Sequence, residues 1–411
     1  MKPIGPIPPE FAVQSGMLTI GGERADALVA AHGSPLFVYD MGVVRARIAR
    51  FRDAMPAAVA LHYAVKANPH PAVIAGMASL VDGLDVASAG ELAKALAVKP
   101  AGAISFAGPG KRDAELEAAI AAGATLNAES AGEVRRALAM GERLGVVPRL
   151  AVRVNPDLEL RGSGMKMGGR ASPFGVDAER VPELVRTIVG AGADWRGFHI
   201  FAGSQALDAG ALVETQGATL ALAARLAEDS GHLPPKVNLG GGFGIPHFAG
   251  DRALDVERIG AALGEALAAS ALTAAGTAYA IELGRWLVGE AGVYLTRVVD
   301  RKESRGETFV VVDGGLHHQL AASGNFGTVV RRNYPVAVAG RMGEAGGDGD
   351  GGEASVVGCL CTPLDRLADR VALPPVAEGE VIAVFIAGAY GLSASPAAFL
   401  GHPVPAEVVL G

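Results

Sequence analysis

Short apolar runs recur along the chain as far as about residue 290, and alanine-rich stretches with helical spacing separate most of them. The runs at 36–39, 61–65, 83–87, 104–107, 125–128, 150–154, 197–200, 236–239 and 279–282 predict strands, and stretches such as 89–97 and 112–121 predict helices between them. Repeated strand–helix units in this number predict a parallel (β/α)8 barrel rather than an open sheet. Catalytic side chains of such barrels collect at the C-terminal ends of the strands. Lys66, Asp85, Arg153, His199 and the region around Gly240 all fall at or near such ends. Beyond Glu290 the texture changes. The runs at 293–299, 309–312, 356–360 and 381–386 are β-type, with no long helical pattern between them, which predicts a separate β-domain.

Composition narrows the class. Half of the 411 residues are hydrophobic and 19% are charged, the balance of a globular chain long enough for one large domain and a smaller one. No long apolar stretch free of Gly, Pro and charge stands out, so no membrane span is expected. Pro3, Pro6, Pro8 and Pro9 stand where a signal peptide needs an apolar helix. A net charge of −7 without a basic cluster argues against nucleic acid as a partner. The two cysteines, Cys359 and Cys361, lie two apart on an expected strand and form no disulfide framework, which implies a reduced, cytoplasmic setting. The glycine- and acid-rich segment 343–353 contains Asp348-Gly349-Asp350 but lacks the spacing of a calcium loop and reads as a hairpin loop. No metal site is expected.

Candidate chemistry begins at Lys66, which closes Leu61-His62-Tyr63-Ala64-Val65 and is followed by Ala67-Asn68-Pro69. That order predicts a buried strand delivering a lysine to a loop mouth. Desolvation there lowers the pKa of the amine, and such a lysine forms a Schiff base with an aldehyde cofactor. A lysine that snorkels to solvent at a strand end has the same local pattern. Gly240-Gly241-Gly242-Phe243-Gly244 follows Val237-Asn238-Leu239, and its glycines suit either a phosphate cradle or a tight turn. The spacing of a dinucleotide fingerprint is missing, and Gly108-Pro109-Gly110-Lys111-Arg112 lacks the Ser or Thr of a P-loop.

Glu282-Leu283-Gly284-Arg285 closes another strand. A carboxylate there can keep a pyridine nitrogen protonated, and Arg285 can clamp a carboxylate bidentately. An i,i+3 surface ion pair is the plainer account of that fragment alone. His199 ends a strand, where a lone histidine is more often packed and hydrogen-bonded than catalytic. Cys361, in an apolar run, defaults to a buried thiol.

Together, Tyr63 to Asn68, Asp85 to Leu92, Asn238 to Gly244, Glu282 to Arg285, Ala389-Tyr390-Gly391 and Pro403 to Val408 resemble the fold-type III decarboxylases related to diaminopimelate and ornithine decarboxylases. The resemblance runs from about Pro35 to the end. It implies pyridoxal 5'-phosphate as cofactor, an N-terminal segment 1–34 that packs with the β-domain, a barrel over 35–288 and a β-domain over 289–411. It also implies a homodimer with shared active sites. By resemblance, Lys66 is the Schiff-base lysine and Asp85 its partner; His199 stacks on the cofactor ring and Glu282 pairs with the pyridine nitrogen. Arg153 is a cofactor-side arginine. Ser204, Gly241, Gly242 and Tyr390 hold the phosphate, with Arg285 close by, and Gly284 also borders the cofactor. Cys361 resembles the cysteine that, supplied by the second subunit, returns a proton to the substrate carbon after CO₂ leaves.

The departures bear on substrate. Thr362 stands where the diamino-acid enzymes carry the acid that receives the distal ammonium, which leaves Asp313 and Asp365 as the remaining carboxylates. Leu316-His317-His318-Gln319-Leu320 replaces the segment that bears arginine and tyrosine in diaminopimelate decarboxylases. The Cys361-Thr362-Pro363-Leu364-Asp365 pattern and the segment 163–169 resemble the branch with the glutamyl-carrier-protein and exosortase-associated decarboxylases. That resemblance implies decarboxylation of an amino acid, acylated or carrier-bound at its side chain, in a specialised or exopolysaccharide pathway, with 163–169 as a lid. Decarboxylation of a free diamino acid, racemisation, and non-catalytic cofactor binding are the alternatives. The cysteine motif argues against a racemase, and the presence of both Lys66 and Cys361 argues against an inactive relative.

Overall fold

The computed structural model describes residues 1–157, 171–324, 332–344 and 352–411, with the backbone of 165–166. The chain divides into two compact units, one of Arg47–Ile245 and Ala253–Gly284, the other of Met1–Ala46, Pro246–Arg252 and Arg285–Gly411. These boundaries differ from the expected breaks at 35 and 288. The lid expected at 163–169 and most of the loop 343–353 lie outside the described residues.

The first unit is built on β1 (Val59–Ala64), β2 (Gly83–Val86), β3 (Ile104–Phe106), β4 (Thr125–Ala128), β5 (Arg149–Asn155), β6 (Asp194–Ile200), β7 (Lys236–Asn238) and β8 (Ala278–Leu283). Each strand pairs in parallel with the next, and β8 pairs with β1, so the sheet closes into the expected barrel. Helices Ala89–Leu96, Asp113–Ala122, Ala131–Leu144, Val181–Gly190 and Ala209–Ser230 follow β2 to β6 in turn. Local chemistry sets their ends. The Ser88 and Ser130 hydroxyls accept the N–H of Glu91 and Glu133 at two helix starts. Gly123, Gly145 and Gly231 take the left-handed conformation that stops three of the helices.

The ninth expected strand belongs elsewhere. Leu36–Asp40 runs antiparallel to the start of Gly292–Ser304 and parallel to Ala406–Leu410, all within the second unit. Its unbroken apolar stretch indicates burial on both faces but does not say in which sheet. Gly292–Ser304 is the spine of that unit: its first half also pairs with Val381–Phe385, its second half with Glu307–Val312. The N-terminal residues join the same unit through an Ile4–Asn333 bridge and a Phe11–Phe385 ring contact at 5.8 Å. The run expected at 356–360 ends as a strand at Val357. Past that point the N–H groups of Gly358 and Leu360 turn to the backbone oxygen and the carboxylate of Asp365. Cys359 and Cys361 are therefore in a bend rather than on a strand. No helix of the described residues is long and apolar enough to cross a membrane.

Lys111 shows why its glycine-flanked segment is structural. Its ammonium is buried, 2.7 Å from Glu133, and donates to the carbonyls of Gly108 and Asn127. Removing one partner of a buried pair strands the other charge, so Lys111→Met should destabilise the chain by about 3–5 kcal/mol in urea denaturation. Lys111→Met/Glu133→Met should recover most of that loss; a double variant as unstable as the single one would refute this account.

Candidate active site

Lys66 is carried on a single 3-10 turn, Val65–Ala67, immediately after β1. Tyr63 Oη donates to the Asn68 carbonyl at 2.9 Å, and the Asn68 side chain accepts the N–H of His70 at 3.0 Å, which ties the turn down on both sides. Gly284 faces it: a Cβ at 284 would stand 2.9 Å from Ala67 Cβ. The Lys66 ammonium reaches to 4.0 Å from Glu282 Oε1 at the end of β8 and lies 5.7 Å from the centre of the Phe201 ring. Half of the side chain remains exposed, because it stands on the turn beyond the strand. The expectation of a desolvated lysine is corrected on that point.

Glu282 and His199 are buried together, with His199 Nε2 3.1 Å from Glu282 Oε2. Burial pushes the carboxyl pKa up, but contact with His199 and the charges of Lys66, His199 and Arg153 overcome it and hold the group at about 2. Glu282 is thus an anion at neutral pH. His199 Nε2 lacks hydrogen-bond alignment in that contact, and Nδ1 has no hydrogen-bond partner.

Arg153, on β5, donates to Glu129 Oε1 at 3.0 Å and lies 5.1 Å from the centre of the Phe174 ring. Glu129 also accepts the N–H groups of Gly108 and Gly175, so one buried carboxylate joins three loops at the rim. An acid directly after β4 is visible in the sequence; its pairing with Arg153 is not. Asp85 differs from expectation. Its bonds run to Ser105 Oγ and, at 3.1 Å, to His62 Nδ1, because Asp85 points into the barrel while Lys66 has left β1. His62 Nε2 in turn meets Lys236 Nζ at 2.7 Å, a buried chain no motif announced. Asp85 Oδ2 has no hydrogen-bond partner.

The glycine run after β7 is shaped by close backbone approach. Asn238 Oδ1 accepts the Gly240 N–H at 2.9 Å, and a Cβ at Gly241 would fall 1.9 Å from the Glu282 carbonyl oxygen. Gly242 has φ +86°, open to glycine at little cost. Ala206 donates to the Gly242 carbonyl at 2.9 Å, and Gly244 donates back to Ala206 at 2.9 Å. This places Ser204, next along from Gly203, on the segment laced to that run.

Within the second unit, Arg285 lies 4.7 Å from the centre of the Tyr390 ring and 3.4 Å from His247 Nε2. Two expected substrate acids are otherwise engaged. Asp365 is buried, and its two oxygens accept the N–H groups of Leu316 at 2.6 Å and Leu360 at 2.8 Å. Asp313 Oδ1 accepts from Ser34 Oγ, Thr296 Oγ1 and the Arg297 N–H at 2.8–3.0 Å. Both carboxylates clamp loops of their own unit. Thr362 lies partly exposed in the turn between them, and the Cys361 thiol is exposed rather than buried.

These residues fit a phosphorylated pyridine aldehyde. An amine, an ionised carboxylate and a histidine with an unpartnered ring nitrogen meet at one end of the barrel, and the adjoining glycine run leaves its backbone bare of side chains. Residues 41–289 match the family model described as pyridoxal-dependent decarboxylase, pyridoxal binding domain. The chain is 36% identical to the L-glutamyl-[BtrI acyl-carrier protein] decarboxylase of Niallia circulans, over 93% of this chain and 90% of the relative. It is 29% identical to the 2-[(L-alanin-3-ylcarbamoyl)methyl]-2-hydroxybutanedioate decarboxylase of Staphylococcus aureus, over 91% and 93%. Among solved structures, the diaminopimelate decarboxylase of M. jannaschii superposes with a TM-score of 0.87 at 25% identity, covering 97% of this chain and 92% of the other.

The Glu282 shift has a measurable consequence. Its folded pKa lies below the ordinary 4.5, so its stabilisation is complete above about pH 4.5 and is lost as pH falls toward about 2. The stability difference between wild type and Glu282→Gln should therefore shrink between about pH 6 and about pH 3 in urea titrations. A pH-independent difference would contradict it.

Proposed function

The chain belongs to the pyridoxal-dependent decarboxylases, and on that footing we propose that it removes the α-carboxylate of an amino acid whose distal end is acylated and uncharged, presented as a thioester on a carrier protein. Decarboxylation of an amino acid with pyridoxal phosphate is the activity shared by its family. The cofactor, when bound, supplies the electron sink for cleavage of the carbon–carbon bond. Lys66 is the amine that holds its aldehyde, Glu282 the anion for its ring N–H, and His199 the ring that packs on it. Glu129 keeps Arg153 fixed as a cofactor-side cation, and the His62 link holds Asp85 in place. Ser204, Gly241 and Gly242 would hold the cofactor's phosphate. Cys361 carries the proton returned to the α-carbon.

The observation that carries the substrate reading is the state of the carboxylates. Thr362 has no charge, both oxygens of Asp365 accept backbone N–H groups, and Asp313 Oδ1 takes three donors of its own unit, so little carboxylate charge is left for a distal ammonium. A free diamino acid would then bring a weakly countered charge, which is costly in a desolvated site. The name of the Niallia circulans relative specifies a glutamyl group on a carrier protein, and that of the Staphylococcus aureus relative an alanine joined at C3 through a carbamoyl group.

A homodimer with shared sites is part of this reading. The exposed Cys361 thiol shares its loop with exposed Leu364, and Phe399, Leu400 and Val404 are exposed on a second loop. The two loops meet where Cys359 Sγ comes 3.8 Å from His402 Nε2. Apolar side chains grouped in this way suit coverage by a second copy. A reduced, cytoplasmic compartment accommodates both free thiols.

Two assays test the proposal. CO₂ release should occur with glutamyl or aspartyl thioesters of a carrier or its pantetheine mimic, and not with diaminopimelate, lysine, ornithine or arginine, with Lys66→Ala as blank. Turnover of a free diamino acid at a comparable rate would refute the substrate reading. Mixing inactive Lys66→Ala with Cys361→Ala should restore about a quarter of wild-type activity, because half the dimers are mixed and each has one intact site. No restoration after verified subunit exchange would refute the sharing.

A further inference from the structure

We propose that Cys359, His317 and His402 form a transition-metal site of the zinc type in the second unit, beside the Cys361 bend but built from none of the residues assigned to decarboxylation. One donor atom from each residue can be chosen so that all three lie within 4.8 Å of one another, and this is the metal-competent cluster found among the described residues. Cys359 Sγ stands 3.8 Å from His402 Nε2, and the His317 and His402 ring centres are 5.1 Å apart. In a tetrahedral zinc site with Zn–S of about 2.3 Å and Zn–N of about 2.0–2.1 Å, donor atoms lie roughly 3.3–3.6 Å apart. The observed cluster needs only a small contraction to reach that geometry.

The second observation is His317 itself. The side chain is wholly buried, yet neither ring nitrogen has a hydrogen-bond partner. Buried polar atoms without partners are costly and uncommon, and an imidazole with a nitrogen directed at a thiol and a second imidazole finds its partner in a metal ion. The adjacent His318 is different. Its ring lies 3.0 Å from Tyr294 Oη and 3.2 Å from the Pro403 carbonyl, so it is committed to hydrogen bonds, and it braces His317 through a tilted ring contact at 3.7 Å.

The scaffold holds the donors in place without the metal. The Asp365 carboxylate binds the N–H of Leu316 on one loop and of Leu360 on another, one residue from His317 and Cys359 respectively. A Cβ at Gly315 or Gly358 would collide with that carboxylate, at 2.4 Å and 2.2 Å, so both loops can close on it only as glycine. The His318–Pro403 bond fastens the third loop beside His402. One thiolate and two neutral imidazoles suit Zn²⁺, and Co²⁺ as its spectroscopic substitute. Binding forms one metal–sulfur and two metal–nitrogen bonds, and the Cys359 thiol proton passes to solvent. Three protein donors leave a fourth position for water or an external ligand.

The test uses the cofactor-loaded full-length protein. It is incubated with excess Zn²⁺ or Co²⁺, passed through gel filtration, and assayed for bound metal by mass spectrometry and absorption. Wild type and Cys361→Ala should each retain one metal per chain and, with Co²⁺, show thiolate-to-cobalt charge-transfer and tetrahedral ligand-field bands. Cys359→Ser should lose the charge-transfer band and the stoichiometric metal, and His402→Ala should lose the metal. Circular dichroism should match wild type for both, since neither side chain is fully buried. Wild type that retains no metal, or a Cys359→Ser or His402→Ala variant that retains it as wild type does, overturns the proposal. Loss of the band in Cys361→Ala but not in Cys359→Ser would overturn it in favour of the exposed thiol. These readouts are independent of decarboxylation, so an inactive enzyme would not confuse the result.

Discussion

A carboxylate buried at the end of a barrel strand is tolerated only if positive and polar groups converge on it, and Glu282 imposes that constraint on the barrel site. Its charge survives burial because His199 comes to 3.1 Å, Lys66 to 4.0 Å, and Arg153 adds its field. Those three residues come from β6, the turn after β1, and β5, so the condition is met only when the sheet is closed and its strands are in register. The glycine run is bound by the same geometry. Gly241 lies against the Glu282 carbonyl, and the Gly240 carbonyl accepts the Glu282 N–H, so the loop and the carboxylate share one backbone contact. Arg153 is held by its own buried anion, Glu129, which prevents it from collapsing onto Glu282.

Asp365 plays the corresponding part in the second unit. Its backbone oxygen takes the amide just past the strand Gly352–Val357, and its side chain fastens the loop of Leu316 to the loop of Leu360. That fastening brings the exposed Cys361, Thr362 and the cluster of Cys359, His317 and His402 onto neighbouring turns. Each oxygen of Asp365 accepts a backbone N–H, so the carboxylate clamps the two loops together.

Comparison of the two units shows where local pattern is sufficient. The eight barrel strands were legible as short apolar runs, and helices such as Ala89–Leu96 and Asp113–Ala122 as helical periods, one started by Ser88 and the other stopped by Gly123. Leu36–Asp40 was equally visible as a strand, but its address was not, since hydrogen-bond partners more than two hundred residues away decide it. The run at 356–360 stopped short for a comparable reason: Asp365, from outside the strand, captured its amides with its backbone oxygen and its carboxylate.

The sequence by itself determined the barrel, the β-rich remainder and the identity of Lys66, His199, Glu282, Arg285, Tyr390 and Cys361 as candidates, because strand ends and ordered motifs are local properties of a chain. Only the tertiary structure decided the partners of those groups: Glu129 for Arg153, His62 and Ser105 for Asp85, backbone amides for Asp365, and His402 for Cys359. Pairings of that kind depend on distances of a few ångströms between residues far apart in the chain. No periodicity or composition encodes them, and they appear only when the strands close and the loops are brought together.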